Sequence, residues 1–423
     1  MIYQFKLKSI KLIMCKKHLL YIVFSLLLLV GCKDQIQTVQ FSTAIQDGNE
    51  ITIKWMPANI SGFKYYRIMR ASDGQHFSTI NDADSVGSDA YNRNTTSYTD
   101  SSFPYVDSVY YKIMAFGDEI ISSPNILVHI KKPLEISQNI QNAFIMSDEN
   151  KMLIFGSNGS NSSMYLYDYT NNTLINNTPV NVTTSGSAIF FGKYKGKYEF
   201  YFFDSWNDKL NIYDGLTLNQ VANMSFWSGY PKFATNNNGT LYSTSGSNYI
   251  TLIHRNSLVT TTYQGNNYID QLYYRDIDNT LLGLYYNKIV LYTLDNTGNI
   301  IAENFKTLNY STNPIYIENS NLVYGGNYGS RKIINTDNLQ ENTLTISNNG
   351  YKEFTTLYSV NNVIYACSNY ENKLYCFSMT DFKLIKTITI RFTPTKFLSD
   401  PEYLFYYGLS NGINIIDKIK LVQ

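Results

Sequence analysis

Seven short apolar strands of similar make-up recur along the 423-residue chain at a spacing near forty residues. The series runs Met164-Tyr165-Leu166-Tyr167-Asp168, Leu210-Asn211-Ile212-Tyr213-Asp214, Thr251-Leu252-Ile253-His254-Arg255 and Ile289-Val290-Leu291-Tyr292-Thr293. It continues with Lys332-Ile333-Ile334-Asn335-Thr336, Leu374-Tyr375-Cys376-Phe377-Ser378 and Ile413-Asn414-Ile415-Ile416-Asp417. Between last residues the steps are 46, 41, 38, 43, 42 and 39. Ahead of each recurring strand lie two apolar strands and a hairpin rich in Asn, Gly or Ser; behind it lies a variable fourth. A four-stranded unit of this size cannot cover both faces of its sheet, so neighbours must stack. Seven units closed into a ring cover every face and leave only short edges. Period and count predict a seven-bladed β-propeller over residues 134–423.

Composition agrees with an all-β chain. Tyrosine, present 38 times, favours strands, and the abundant asparagine favours turns. No long amphipathic helical stretch follows Cys32. Upstream of the repeats, strand-like runs at 38–44, 49–55, 63–70, 96–100, 107–116 and 120–130 are separated by turn residues. Alternation is clear in Glu50-Ile51-Thr52-Ile53-Lys54-Trp55 and Tyr66-Arg67-Ile68-Met69-Arg70, which predicts a β-sandwich over residues 38–131. Trp55, Tyr65-Tyr66-Arg67-Ile68, Ser97-Tyr98-Thr99-Asp100 and Tyr111-Lys112-Ile113-Met114-Ala115 resemble the fibronectin type III family, in which Trp55 would be a core residue. Val109 departs from that pattern, standing where the family has a tyrosine. Lys131-Lys132-Pro133 reads as a linker. The repeats resemble the WD40-like or YVTN-type blades of bacterial surface proteins, although no Trp-Asp dipeptide recurs. The last blade takes its outer strand either from Ile419–Gln423 or from Leu134-Glu135-Ile136.

The N-terminal stretch sets an address. Lys16 and Lys17 precede the apolar run Leu19 to Val30, the length of a signal h-region and short for a bilayer span. Leu29-Val30-Gly31-Cys32 resembles the lipobox of bacterial lipoproteins. That resemblance implies removal of residues 1–31, acylation of Cys32 (palmitate among the chains) and a tether over 32–37. Translation from Met14 instead of Met1 would give a signal of ordinary length. Removing residues 1–31 takes away five lysines and no acids, so the formal charge moves from +1 to −4. A weakly acidic chain with no basic cluster excludes a nucleic-acid partner. Layout and composition resemble lipoproteins of Bacteroidetes, implying an outer-membrane lipoprotein at the cell surface or on the periplasmic face. Cys32-Lys33-Asp34-Gln35 matches that group's surface-export signal in part.

Residues able to carry catalysis are scarce. Of four histidines only His254 lies among the repeats, which excludes a multi-histidine metal site and leaves a Ser-His-Asp triad dependent on that one residue. Asp168, Asp214, Asp337 and Asp417 follow the recurring strands, where aspartate is ordinarily turn chemistry. Asp276-Ile277-Asp278-Asn279 has part of a calcium-loop pattern without its glycine or distal glutamate. Gly156-Ser157-Asn158-Gly159-Ser160 and Tyr324-Gly325-Gly326-Asn327 precede no helix and are hairpins. Cys367 and Cys376 face one another if their hairpin centres on Glu371-Asn372. A cross-strand disulfide is one reading and two buried free thiols the other.

Aromatic residues remain. Trp206, Tyr249, Tyr286, Tyr328 and Tyr370 fall in second-to-third-strand turns, and Trp227 and Tyr230 between blades, connections that share one face of a propeller. Exposed aromatics beside amides suit stacking on sugars or anchoring a protein. Trp206, Trp227, Tyr230, Tyr328 and Tyr370 are therefore the candidate ligand-binding residues, with no catalytic residue, metal or cofactor expected. The expected function is a non-catalytic, membrane-anchored binding protein for a glycan or protein partner. The alternatives are a propeller glycosidase or polysaccharide lyase using channel carboxylates, and a scaffold in an outer-membrane assembly complex. Cys32→Ser should leave the propeller folded and abolish acylation, so that fractionation finds the protein released from membranes; loss of folding would contradict the layout.

Overall fold

The computed structural model describes residues 38–48, 50–80, 91–103, 106–131, 133–159, 161–180, 188–226, 231–308, 314–326, 331–344, 353–368, 371–410 and 412–422. These form two compact units, one of Ile51–Ile130 with the residues before Asp47, the other of Lys131–Gln423 with Asp47–Glu50.

The first unit has two sheets around one core. Phe41–Asp47, Glu50–Trp55 and Ser97–Asp100 form one sheet; Ser78–Thr79, Tyr65–Ala71, Ser108–Phe116 and Ile120–Ser122 form the other, with Ile126–His129 also paired to Ser108–Phe116. Period-two alternation sends Ile51, Ile53, Trp55, Tyr66, Ile68, Val109, Tyr111 and Ile113 inward. Trp55 is buried with its ring edge-on to Tyr66 at 5.3 Å. The Tyr66 hydroxyl accepts from Ala58 N at 2.7 Å and donates to Arg93 O at 2.9 Å, fixing two loop segments on the core. Asp100, also buried, accepts from Arg70 Nη1 at 2.8 Å and from the Tyr111 hydroxyl at 2.8 Å. Burial and that carboxylate together hold the Tyr111 phenol well above its usual range.

Among the described residues, the second unit contains seven four-stranded sheets. The recurring segments found in the sequence are their third strands: Asn161–Asp168, Lys209–Asp214, Ser247–His254, Lys288–Leu294, Lys332–Asn335, Lys373–Ser378 and Ile413–Lys420. First strands lie side by side around the ring, and Asn139–Met146 of the first blade meets Lys396–Ser399 of the seventh. Between the fourth and fifth blades, Tyr273 packs on Tyr316 at 4.9 Å. This is a closed seven-bladed β-propeller. Its closing strand is Leu134–Ile136, which pairs antiparallel with Ile413–Lys420 through Leu134↔Ile416 and Ile136↔Asn414. The alternative outer strand, Ile419–Gln423, does not form, because Ile419 and Lys420 belong to the third strand.

The propeller core lies between blades. Each of the seven junctions holds its own apolar cluster. Second strands serve two clusters at once and so are buried on both faces. In Lys151–Asn158, Met152 and Ile154 enter the seventh-to-first junction, while Leu153 and Phe155 enter the first-to-second.

Third-to-fourth-strand turns brace the junctions. Leu218, Leu258, Leu339 and Phe382 adopt left-handed φ values of 58°, 54°, 60° and 56°. Each N–H closes a turn onto the carbonyl four residues back, at 2.8–3.0 Å. Each side chain also enters the cluster shared with the preceding blade. Left-handed backbone costs such residues roughly 1–2 kcal/mol, offset by the apolar packing of their side chains, complete for Leu218 and partial for Leu258, Leu339 and Phe382. Polar groups open these turns: Asp168 Oδ1 accepts from Thr170 N and Asn171 N, and Asp214 Oδ1 from Leu216 N and Thr217 N. In the fifth blade Asn335 has this role, and Asp337 pairs with the buried Arg275 at 3.2 Å. Arg275 also binds Asp278, so this aspartate of the partial calcium loop answers an arginine. Arg255 clamps Glu199 of the preceding blade with two bonds, at 2.8 and 2.9 Å.

The disulfide reading of Cys367 and Cys376 is corrected. Cys367 stands opposite Leu374 and Cys376 opposite Tyr365, so the hairpin centres one residue earlier than Glu371-Asn372. The cysteines are diagonal, and both are buried free thiols. Burial pushes each thiol up to about 12, which leaves them protonated at neutral pH.

Ile136→Ala should destabilise the protein by about 2–5 kcal/mol in urea unfolding, since Ile136 both closes the ring and fills its junction. Leu174→Ala, on a half-exposed outer strand, should stay within about 0.5 kcal/mol of the parent.

Candidate functional site

An antiparallel four-stranded blade places its first-to-second and third-to-fourth turns at one end. The second-to-third turn and the crossing to the next blade are at the other. The bracing turns occupy the first face; the aromatic candidates belong to the second. Cys32 and four of the proposed ligand-binding residues, Trp227, Tyr230, Tyr328 and Tyr370, lie outside the described residues. Trp206 is described and is 69% exposed. Asp204, buried at the end of the second strand, accepts from Trp206 N at 3.1 Å, Asn207 N at 3.3 Å and Asn207 Nδ2 at 2.6 Å. The capped turn holds its backbone firmly and leaves the indole in solvent.

A more organised aromatic group spans the third and fourth blades. The outer strand Val259–Ile269 is interrupted: Gln264 pairs with Tyr249 and Ile269 with Ser247, so residues 265–268 face Asn248 alone. Such a bulge re-aims the side chains it carries. Glu303, on the outer strand Ile300–Thr307, holds it by accepting from Asn266 N at 2.9 Å, Asn267 Nδ2 at 3.4 Å and the Tyr263 hydroxyl at 3.3 Å. Gly265 permits this approach, because a Cβ there would lie 2.7 Å from Glu303 Oε2. Lys288 Nζ donates to Asn267 Oδ1 at 3.2 Å from the inner side.

The bulge delivers Tyr268 to Tyr285, with ring centroids 4.8 Å apart, and Tyr285 meets Tyr286 edge-on at 4.6 Å. Tyr268 and Tyr286 are 49% and 54% exposed. Partial desolvation, with Tyr286, Tyr268 and Asp270 nearby, raises the Tyr285 pKa and keeps its hydroxyl protonated at neutral pH. Tyr286 begins the two-residue turn between Tyr285 and Lys288 and has φ 48°. A bulky residue there is an outlier where Asn or Gly would serve. Unlike the bracing leucines, this ring recovers little by burial. Strain kept without a packing return is a mark of a functional position.

Trp206, the one described candidate, makes no ring contact with this ladder; Tyr286 was noted in the sequence as a turn aromatic without being chosen as a candidate, and Tyr268 and Tyr285 were missed. The available signals were Gly265-Asn266-Asn267 interrupting a strand pattern and two adjacent tyrosines at a hairpin turn. Among the described residues, no three His, Cys, Asp or Glu side chains converge on a metal-sized site.

Neither protein-family models nor curated proteins match the sequence. Solved structures match in fold. The structure of U3-55K is similar over 69% of this chain and 98% of its own, with TM-score 0.51 and 8% identity. The RRP9 WD40 repeats cover 69% of this chain and 100% of their own, with TM-score 0.49 and 9% identity. A β-propeller domain from Myceliophteria thermophila covers 68% and 99%, with TM-score 0.49 and 11% identity. At these identities the likeness is one of fold alone.

Tyr286→Asn should not lower stability in urea unfolding. Relief of roughly 1–2 kcal/mol of backbone strain balances the roughly 0.5–1.5 kcal/mol of ring pairing lost. A drop well beyond 1 kcal/mol would show that the ring is structural.

Proposed function

We propose that this chain is a lipid-anchored, non-catalytic binding protein of the outer membrane. In this reading Cys32 carries the lipid, a fibronectin type III-like unit acts as spacer, and the propeller presents its aromatic face to a glycan or protein partner. The observation that carries the reading is the ladder of Tyr268, Tyr285 and Tyr286, half-exposed and built around a strained turn. The carboxylates described so far favour binding over hydrolysis, because they are already engaged. Asp168, Asp204 and Asp214 cap turns; Glu199 is clamped by Arg255, and Asp278 and Asp337 are held by Arg275. Asp417, whose pKa burial raises, accepts from the Tyr406 hydroxyl at 2.8 Å and pairs with Arg391 at 3.4 Å.

The test is incubation of the purified protein with plant, algal and host polysaccharides while reducing ends and retention are both measured. Retention without new reducing ends is expected. New reducing ends, lost on replacing a channel Asp or Glu, would establish the glycosidase or lyase alternative. Capture of membrane-embedded partners from detergent extract, with no polysaccharide retained, would favour the assembly scaffold.

A further inference from the structure

We infer that the ladder between the third and fourth blades is a subsite for a neutral carbohydrate ring, a reading that rests on the proposed binding role and gives it a ligand class. A pyranose offers an apolar C–H face and a rim of hydroxyls. The ladder offers the counterpart to each: the half-exposed rings of Tyr268 and Tyr286 for the face, and hydrogen-bonding groups beside them for the rim. Those groups converge over Gly246, in the second-to-third turn of the third blade. A Cβ added to Gly246 would lie 3.4 Å from the Tyr268 hydroxyl and 3.9 Å from Asp270 Oδ1. Phenol and carboxylate thus face one small space that glycine leaves open. An ionised carboxylate only accepts, while a phenol hydroxyl donates and accepts, a combination that suits a pair of sugar hydroxyls.

Charge selects neutral sugars. Asp270 repels uronate and sulfate groups, and the cation beside the bulge, Lys288, is already committed: its Nζ binds Asn267 and sits 5.8 Å over the Phe305 ring. A protein anchor would more characteristically fill a fully desolvated pocket, whereas these rings are half-exposed and rimmed by polar atoms. Glu303 is a positioning residue, holding the bulge that presents Tyr268.

The experiment is affinity electrophoresis of the intact protein in gels containing soluble starch, mixed-linkage β-glucan or galactomannan, with polygalacturonate as the anionic comparison. At least one neutral polymer should retard the protein, and polygalacturonate should not. Tyr286→Ala should weaken that retardation about tenfold, the loss of one ring contact. Gly246→Asn should do the same without removing a ring, since Asn tolerates left-handed backbone and fills the space. Unchanged melting curves would separate either loss from misfolding, and Trp206→Ala would report whether any remaining retention comes from elsewhere on the face. Retardation surviving both ladder substitutions would overturn the subsite while leaving glycan binding intact. Stronger retardation by polygalacturonate would overturn the neutral class. No retardation by any polymer, with a protein cross-linked through a photoreactive residue at position 286, would overturn carbohydrate recognition and leave protein binding. New reducing ends would instead defeat the non-catalytic reading itself.

Discussion

The propeller depends on apolar contact between blades. No blade has an interior of its own: each sheet has two apolar faces, and each is covered only by a neighbour. The second strands show this most directly. Their buried residues alternate between two junctions, so a run such as Met152-Leu153-Ile154-Phe155 supplies two cores at once. Opening one junction would expose faces on both sides of the break. The three-residue strand Leu134–Ile136 therefore matters beyond its length, because it joins the start of the ring to its last blade.

The same requirement separates the two ends of the ring. On the bracing face, third-to-fourth turns lean over the preceding blade, and strained leucines are offset by burial. Carboxylates there cap turns or meet arginines, as Glu199 meets Arg255 and Asp337 meets Arg275. On the opposite face, Tyr286 is strained in the same backbone region without comparable burial. Identical backbone geometry has different causes at the two ends. One is explained by packing, while at the other the ring stays half-exposed.

Much of the architecture was legible because the junctions repeat. Each third strand must place apolar residues on both faces at the same depth in the ring, and that demand recurs near forty residues whatever the turn sequences do. Finer features were less legible. The register of Cys367 and Cys376 turned on a hairpin centre one residue away from the expected position, and a disulfide cannot tolerate that offset. Tyr286 stood out as a turn aromatic, but Tyr268 did not, because its place depends on four bulged residues held by Glu303 from another blade.

By itself, the sequence determined the strand periodicity, the blade count, the scarcity of histidine and the lipobox-like Leu29–Cys32. These depend on local spacing and residue type, which chain order preserves. Only the tertiary structure decided which strand closes the ring, which carboxylates are engaged and which tyrosines meet. Those outcomes depend on contacts far apart in sequence, such as Ile136 with Asn414 inside the last blade or Asn266 with Glu303 between two blades. Distance along the chain does not encode such contacts; closing the ring creates them.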